Sequence, residues 1–342
     1  MDWASAFSEI SEKDLSRRQM LSALGGGGVV LGGAKAADNV LIGYGVLVGT
    51  NLHDQDLSAV AGERLEPSPF ATTVSGHEIQ LKEDEIRVHD GEGRQAIPLS
   101  ASAAADADQL DTELELAGQP LGQLVSDLSA IEADDYRFEF FGYEDFFRRV
   151  RGTETRPFTI EALRGDRYQH VEPLVIESFS GASPEQPKAV LEGLVEGFRD
   201  ETYYDIPRYL AGSVEDNILF GSVDLRKHFR TPTEYDAMKA GETAGMFCYE
   251  FTWRSVEALH SVPAQQQETP VVGAKVFDER HKHVYTGVAS AFKEDGELVI
   301  PMTFVDYTHS TLYDDLRLRW LLGEGMEGYD KRHRATDIYW QP

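Results

Sequence analysis

The chain has a single cysteine, Cys248. A cysteine does chemistry only as the thiolate, a form favoured at a helix amino terminus or beside an imidazolium. Gly241, Glu242, Thr243, Ala244 and Gly245 form a turn-prone lead-in, and helical spacing begins near Cys248 and runs over residues 250–259. A nucleophilic thiol also needs a base that later returns the proton, and the base needs a group that orients it. His283 follows 35 residues on, at the head of the apolar run 284–291, and Asp306 follows 23 residues later, at the end of the run 302–305. Cys, His and Asp in that order are the types that a nucleophile, its base and an orienting group require, though spacing alone is a weak signal. By itself, a lone cysteine beside Met246 and Phe247 has equally the pattern of an inert buried thiol.

Other groupings point to other chemistry. His281 and His283, two apart on a strand, share a face and with His309, Asp306 or Cys248 would form a zinc set. The charged stretch Glu279-Arg280-His281-Lys282 reads instead as a turn, and neither a Cys-x-x-Cys nor a His-Glu-x-x-His spacing occurs, so no metal and no cofactor is expected. Asp205, Asp216 and Asp314-Asp315 offer carboxylates for Ca²⁺, but in so acidic a chain they read as solvated surface. Tyr203-Tyr204, Trp253 and Trp320 read as core aromatics rather than sugar platforms. Gly25 to Gly28 lacks the preceding strand and the Lys-Ser/Thr of a phosphate loop.

The elements that must position the triad follow from periodicity. Residues 71–74, 78–81, 85–88 and 95–99 alternate as short strands, separated by Ser75-Gly76, Glu83-Asp84 and Asp90-Gly91-Glu92-Gly93, a meander of hairpins. The Ala/Asp stretch 101–108 reads as a linker or exposed loop, and 136–150 as a strand and a helix. Residues 189–199 have helical spacing, and 271–277, 284–291, 298–300 and 302–305 are strand-like. Helices followed by antiparallel strands predict an α+β domain over 151–342, after a β-rich region over 37–150.

The downstream motifs resemble the transglutaminase-like fold of papain-type thiol enzymes. The resemblance rests on Gly245-Met246-Phe247-Cys248, Pro263-Ala264, the strand 271–277, His283-Val284-Tyr285 and Phe304-Val305-Asp306-Tyr307-Thr308, and covers residues 231–316. Three positions depart from the family pattern. Gly245 is three rather than two residues before the cysteine, Gln265 stands where many members carry Arg, and Tyr285 replaces the usual Trp. The resemblance implies a helix carrying Cys248 packed on an antiparallel sheet carrying His283 and Asp306. It also implies an acyl-enzyme formed from an amide or ester, with hydrolysis of a protein or peptide-like amide as the default and transfer to an amine as the variant. A binding module that keeps the fold without catalysis is the rival reading.

Composition limits the setting. Thirty-two Lys+Arg against 59 Asp+Glu give a formal charge of −27 over 342 residues. Such a surface repels nucleic-acid phosphates and anionic lipid, so neither is expected as a partner. Acidity spread along the chain is the solubility device of halophiles. Ser16-Arg17-Arg18-Gln19-Met20-Leu21, the Gly-rich apolar stretch after it and Ala34-Lys35-Ala36 resemble a twin-arginine export signal over residues 1–36, cut before Ala37. Export to the exterior or cell surface is expected, with anchoring by an uncleaved signal as the alternative. Lipid attachment at the cut is excluded because no cysteine lies there.

Overall fold

The computed structural model describes residue 52 and residues 55–89, 93–165, 171–217, 224–240, 244–279, 283–308 and 334–340. The export-signal residues 1–36, the glycines 25–28, His281, His309, Asp314, Asp315 and Trp320 lie outside them, as does the side chain of Asp216. No described helix is long and apolar enough to cross a membrane.

The protein is α+β. Helix α1 (Leu57–Gly62) precedes the meander β1 (Phe70–Val74), β2 (His77–Leu81), β3 (Glu85–His89) and β4 (Arg94–Pro98), which pair antiparallel in sequence order. The first hairpin turns on Ser75 and Gly76, with φ of 50° and 87°. Positive φ at both central residues matches the right-handed twist of the flanking strands, and glycine meets it without strain. Ile79, Leu81, Ile86 and Val88 of the meander are buried while their neighbours are more open, as alternation requires.

The Ala/Asp stretch corrects the expectation of a linker. Ala101–Ala103 is a short 3₁₀ turn that runs into α2 (Ala104–Glu113). Alanine carries no side-chain entropy cost in a helix, and Ala107 and Leu110 bury one face, so low complexity here encodes a helix. Helix α3 (Pro120–Glu132) packs on α2, and the Asp111 carboxylate accepts from the N–H groups of Leu121 and Gly122 at its start.

Strand β5 (Tyr136–Phe140), α4 (Tyr143–Arg151) and α5 (Pro157–Arg164) follow, then α6 (Pro173–Ser180), α7 (Pro187–Glu201), the short β6 (Thr202–Tyr204), α8 (Ile206–Asn217) and α9 (Tyr235–Lys239). Strand β7 (Ala244–Met246) pairs parallel with β6 and leads into α10 (Cys248–Leu259). The remaining strands are β8 (Val272–Asp278), β9 (His283–Ala289), β10 (Phe292–Glu294), β11 (Glu297–Val305) and β12 (Asp337–Tyr339), in the order β10-β11-β9-β8-β12.

Two details of this sheet depart from the sequence expectation. The runs 298–300 and 302–305 form one strand through Pro301, whose carbonyl accepts from the Ser290 N–H at 3.0 Å. The sheet also gains a parallel member: β5 pairs with β11, Ile300 opposite Phe138, so a strand from before residue 151 joins the downstream antiparallel strands. Helix α10 packs on β8 and β9. Ser255 and Thr286 share a hydrogen bond of 2.6 Å between helix and strand. Gly273 lets the two approach, since a Cβ there would sit 3.1 Å from Val256 Cγ2.

Candidate active site: Cys248, His283 and Asp306

Cys248 opens α10 and is 9% exposed. The first turn is fixed from both sides. The Glu250 carboxylate accepts from the Phe247 N–H at 2.8 Å, and the Arg208 guanidinium pairs with the same carboxylate while lying 4.3 Å from the Phe247 ring centre. The Thr252 hydroxyl donates to the Cys248 carbonyl at 2.8 Å. Just upstream, a Cβ at Gly245 would come within 2.6 Å of the Asp205 carboxylate and 2.8 Å of the Tyr203 hydroxyl, so glycine is required three residues before the cysteine.

Asp205 corrects the expectation of a solvated carboxylate: it is fully buried and accepts from the Arg208 N–H at the start of α8. Its burial follows from that capping role, because a helix start leaves N–H groups that need an acceptor. Tyr204 is a buried core aromatic, as expected.

His283 and Asp306 are brought together by the register of β9 and β11. Val305 pairs with Thr286, so Asp306 follows one step beyond, opposite Tyr285 and diagonal to His283 on the same face. Both side chains are nearly fully buried. His283 Nε2 bonds Asp306 Oδ2, and Asp306 Oδ1 accepts from the Thr308 N–H at 2.8 Å. The carboxylate is therefore held by its strand and by the turn that ends it. Tyr285 stacks on His283 with ring centres 5.9 Å apart and donates its hydroxyl to the Arg334 carbonyl at 2.7 Å. Cys248 is near enough to the imidazole to help raise its pKa, so the thiol at the head of α10 lies beside His283.

Burial works against a charged His283, but the Asp306 charge and hydrogen bond, joined by Cys248, outweigh it and raise the imidazole to about 10. A histidine raised above its unfolded value of about 6.5 contributes stability that is fully present below that pH and is lost as pH rises toward its folded value. In Cys248→Ala, which removes the thiol's own proton, the midpoint of urea unfolding is expected to fall as pH rises above about 6.5. Adding Asp306→Asn should flatten that slope. A slope unchanged by the second substitution would show that the carboxylate does not hold the proton.

Residues invisible as site residues in the sequence support this arrangement. Arg164, at the end of α5, is fully enclosed and donates to the carbonyls of Leu259, Val262 and Val271 and to the Gln267 side chain. It thereby satisfies the end of α10 and the turn after it. Glu161 bonds the Ala264 N–H, which fixes the Pro263-Ala264 turn from the same helix. Gln265 reaches out to the Thr72 hydroxyl of the meander at 3.0 Å. His260 is buried and accepts from the Gly273 N–H at 2.9 Å, and burial, with Arg164 nearby, holds it neutral. Glu250 alone carried a readable signal, an acid three residues into a helix, but the non-polar Phe247 before it hid the cap.

For the alternative zinc set, His281 and His309 lie outside the described residues. Among the described residues, no group of three His, Cys, Asp or Glu stands as a metal cage. In comparisons with protein-family models, with curated proteins and with solved structures, nothing matches this chain.

Proposed function

We propose that this chain is an exported, transglutaminase-like thiol enzyme that cleaves an amide or ester bond through Cys248, His283 and Asp306. One observation carries the reading: a buried imidazole bonds a buried carboxylate through Nε2, beside the cysteine that opens a helix.

The chemistry follows from these groups. The thiol gives its proton to His283, and the thiolate sulfur bonds to the carbonyl carbon while the carbonyl π pair moves to oxygen. The Cys248 N–H, in the first turn of α10 where no carbonyl four residues back accepts it, points positive charge at that oxygen. Collapse re-forms the carbonyl and breaks the bond to the leaving group, which takes the proton from His283. Water, deprotonated by His283, then attacks the thioester, releases the acid and restores the thiol. Asp306 holds the imidazole with its Nε2–H toward the carboxylate, so that Nδ1 serves the sulfur throughout.

The test is alkylation of Cys248 by iodoacetamide against pH, in high salt. An ordinary thiol with a pKa of about 8.5 is under 1% thiolate at pH 6. The native chain is expected to react at pH 6 at least about tenfold faster than His283→Ala. A native thiol no faster than the variant across the whole range would replace catalysis by the binding-module reading.

A further inference from the structure

Lys275 lies on β8, in register with Thr286, and is 5% exposed. Its ammonium donates to the Tyr249 hydroxyl at 3.1 Å and stands 4.7 Å from the Tyr249 ring centre and 4.4 Å from that of Trp253. Tyr249 and Trp253 are one turn apart on α10, and Tyr249 directly follows Cys248. Buried cations are ordinarily neutralised by a carboxylate. In a chain with 59 Asp+Glu, even the partly exposed Arg137, Arg149, Arg156, Arg208 and Arg254 are paired, whereas the buried Lys275 has no carboxylate within ion-pair distance among the described residues. Burial alone lowers it, to about 8.

The cover over this cation can move. Tyr249 is 40% exposed, one of two large apolar side chains so open among the described residues. Exposed side chains change rotamer in picoseconds to nanoseconds, and a swing of the Tyr249 ring uncovers Nζ beside Trp253. Lys275 shares the face of Thr286 that packs on α10, and Tyr249, which covers it, directly follows Cys248.

We propose that Lys275, framed by Tyr249 and Trp253, is a subsite for a carboxylate of the substrate, so that the bond cleaved at Cys248 belongs to an acidic amide or ester. The assignment rests on the thiol-enzyme reading above. It gives the cation the counterion that the chain itself withholds, and the aromatic rings discriminate against water at the moment of pairing.

The test compares two thiol reagents of one shape, 3-maleimidopropionate and its amide, on the intact chain in high salt. A thiol on a −27 surface without a local cation favours the neutral amide. With the subsite, the acid is expected to modify Cys248 at least about fivefold faster than the amide. Lys275→Arg should keep that preference, and Lys275→Met should lose it while reacting normally with the amide. Glutarate should protect Cys248 from the amide in the native chain and not in Lys275→Met. Equal or amide-favoring rates in the native chain overturn the subsite and leave the triad standing. A thiol inert to both reagents overturns the triad and the subsite with it.

Discussion

Asp306→Asn is expected to lower Cys248-dependent hydrolysis of an activated ester such as p-nitrophenyl acetate by about 10³–10⁴-fold, with the fold intact. The reason lies in counting acceptors. Asp306 receives two donors, His283 Nε2–H on one oxygen and the Thr308 N–H on the other. An asparagine amide offers one oxygen and one NH₂. If its oxygen stays with Thr308, the NH₂ faces Nε2, and the imidazole must carry its proton on Nδ1, the nitrogen that should accept from sulfur. If the oxygen turns to His283, the NH₂ meets the Thr308 N–H and the turn is strained. Near-normal hydrolysis by this variant, or hydrolysis that survives Cys248→Ala, would mean that the chemistry runs elsewhere.

Arg164→Ala is expected to destabilise the protein by about 3–5 kcal/mol, read as a lower urea midpoint at unchanged slope. The substitution strips donors from the carbonyls of Leu259, Val262 and Val271 and leaves Glu161 buried without its cation. None of these groups can turn to water, because the site is closed. Arg164→Lys should recover only part of the loss, since an ammonium cannot present the planar fork that reaches several acceptors at once. A loss below about 1 kcal/mol for Arg164→Ala would show that the carbonyls find other donors.

The sequence was most readable where pattern is local. The meander strands alternate and their turns are spelled Ser75-Gly76 and Glu83-Asp84, so each observed strand lies within a residue or two of expectation. Cys248, His283 and Asp306 could be picked because their types and order suit one reaction, and the register of β9 and β11 brings His283 and Asp306 into a hydrogen bond. What failed was tertiary. Ala101–Ala103 and α2 look like low complexity because the apolar face of that helix is made of alanines and a single leucine. Asp205, Arg164 and Lys275 look like surface charge in a chain full of it, and only burial reveals their separate tasks. The parallel pairing of β5 with β11 joins residues about 160 positions apart, a distance at which no periodicity speaks.

The closing strand has a bearing on how the molecule is made. β12 completes the sheet against β8, and its surroundings tie it to the earliest described helix: Asp337 holds Arg64 at 2.7 Å, and the Trp340 indole donates to the Ala61 carbonyl at 2.8 Å. Contacts spanning nearly 280 positions cannot form until residues 337–340 have left the ribosome. The Ala61 carbonyl and the Phe138 ring, which Trp340 meets, therefore wait for that partner until then. The same strand shields β8: without β12, β8, where Asp278 stands in register with His283, would lie on an open edge.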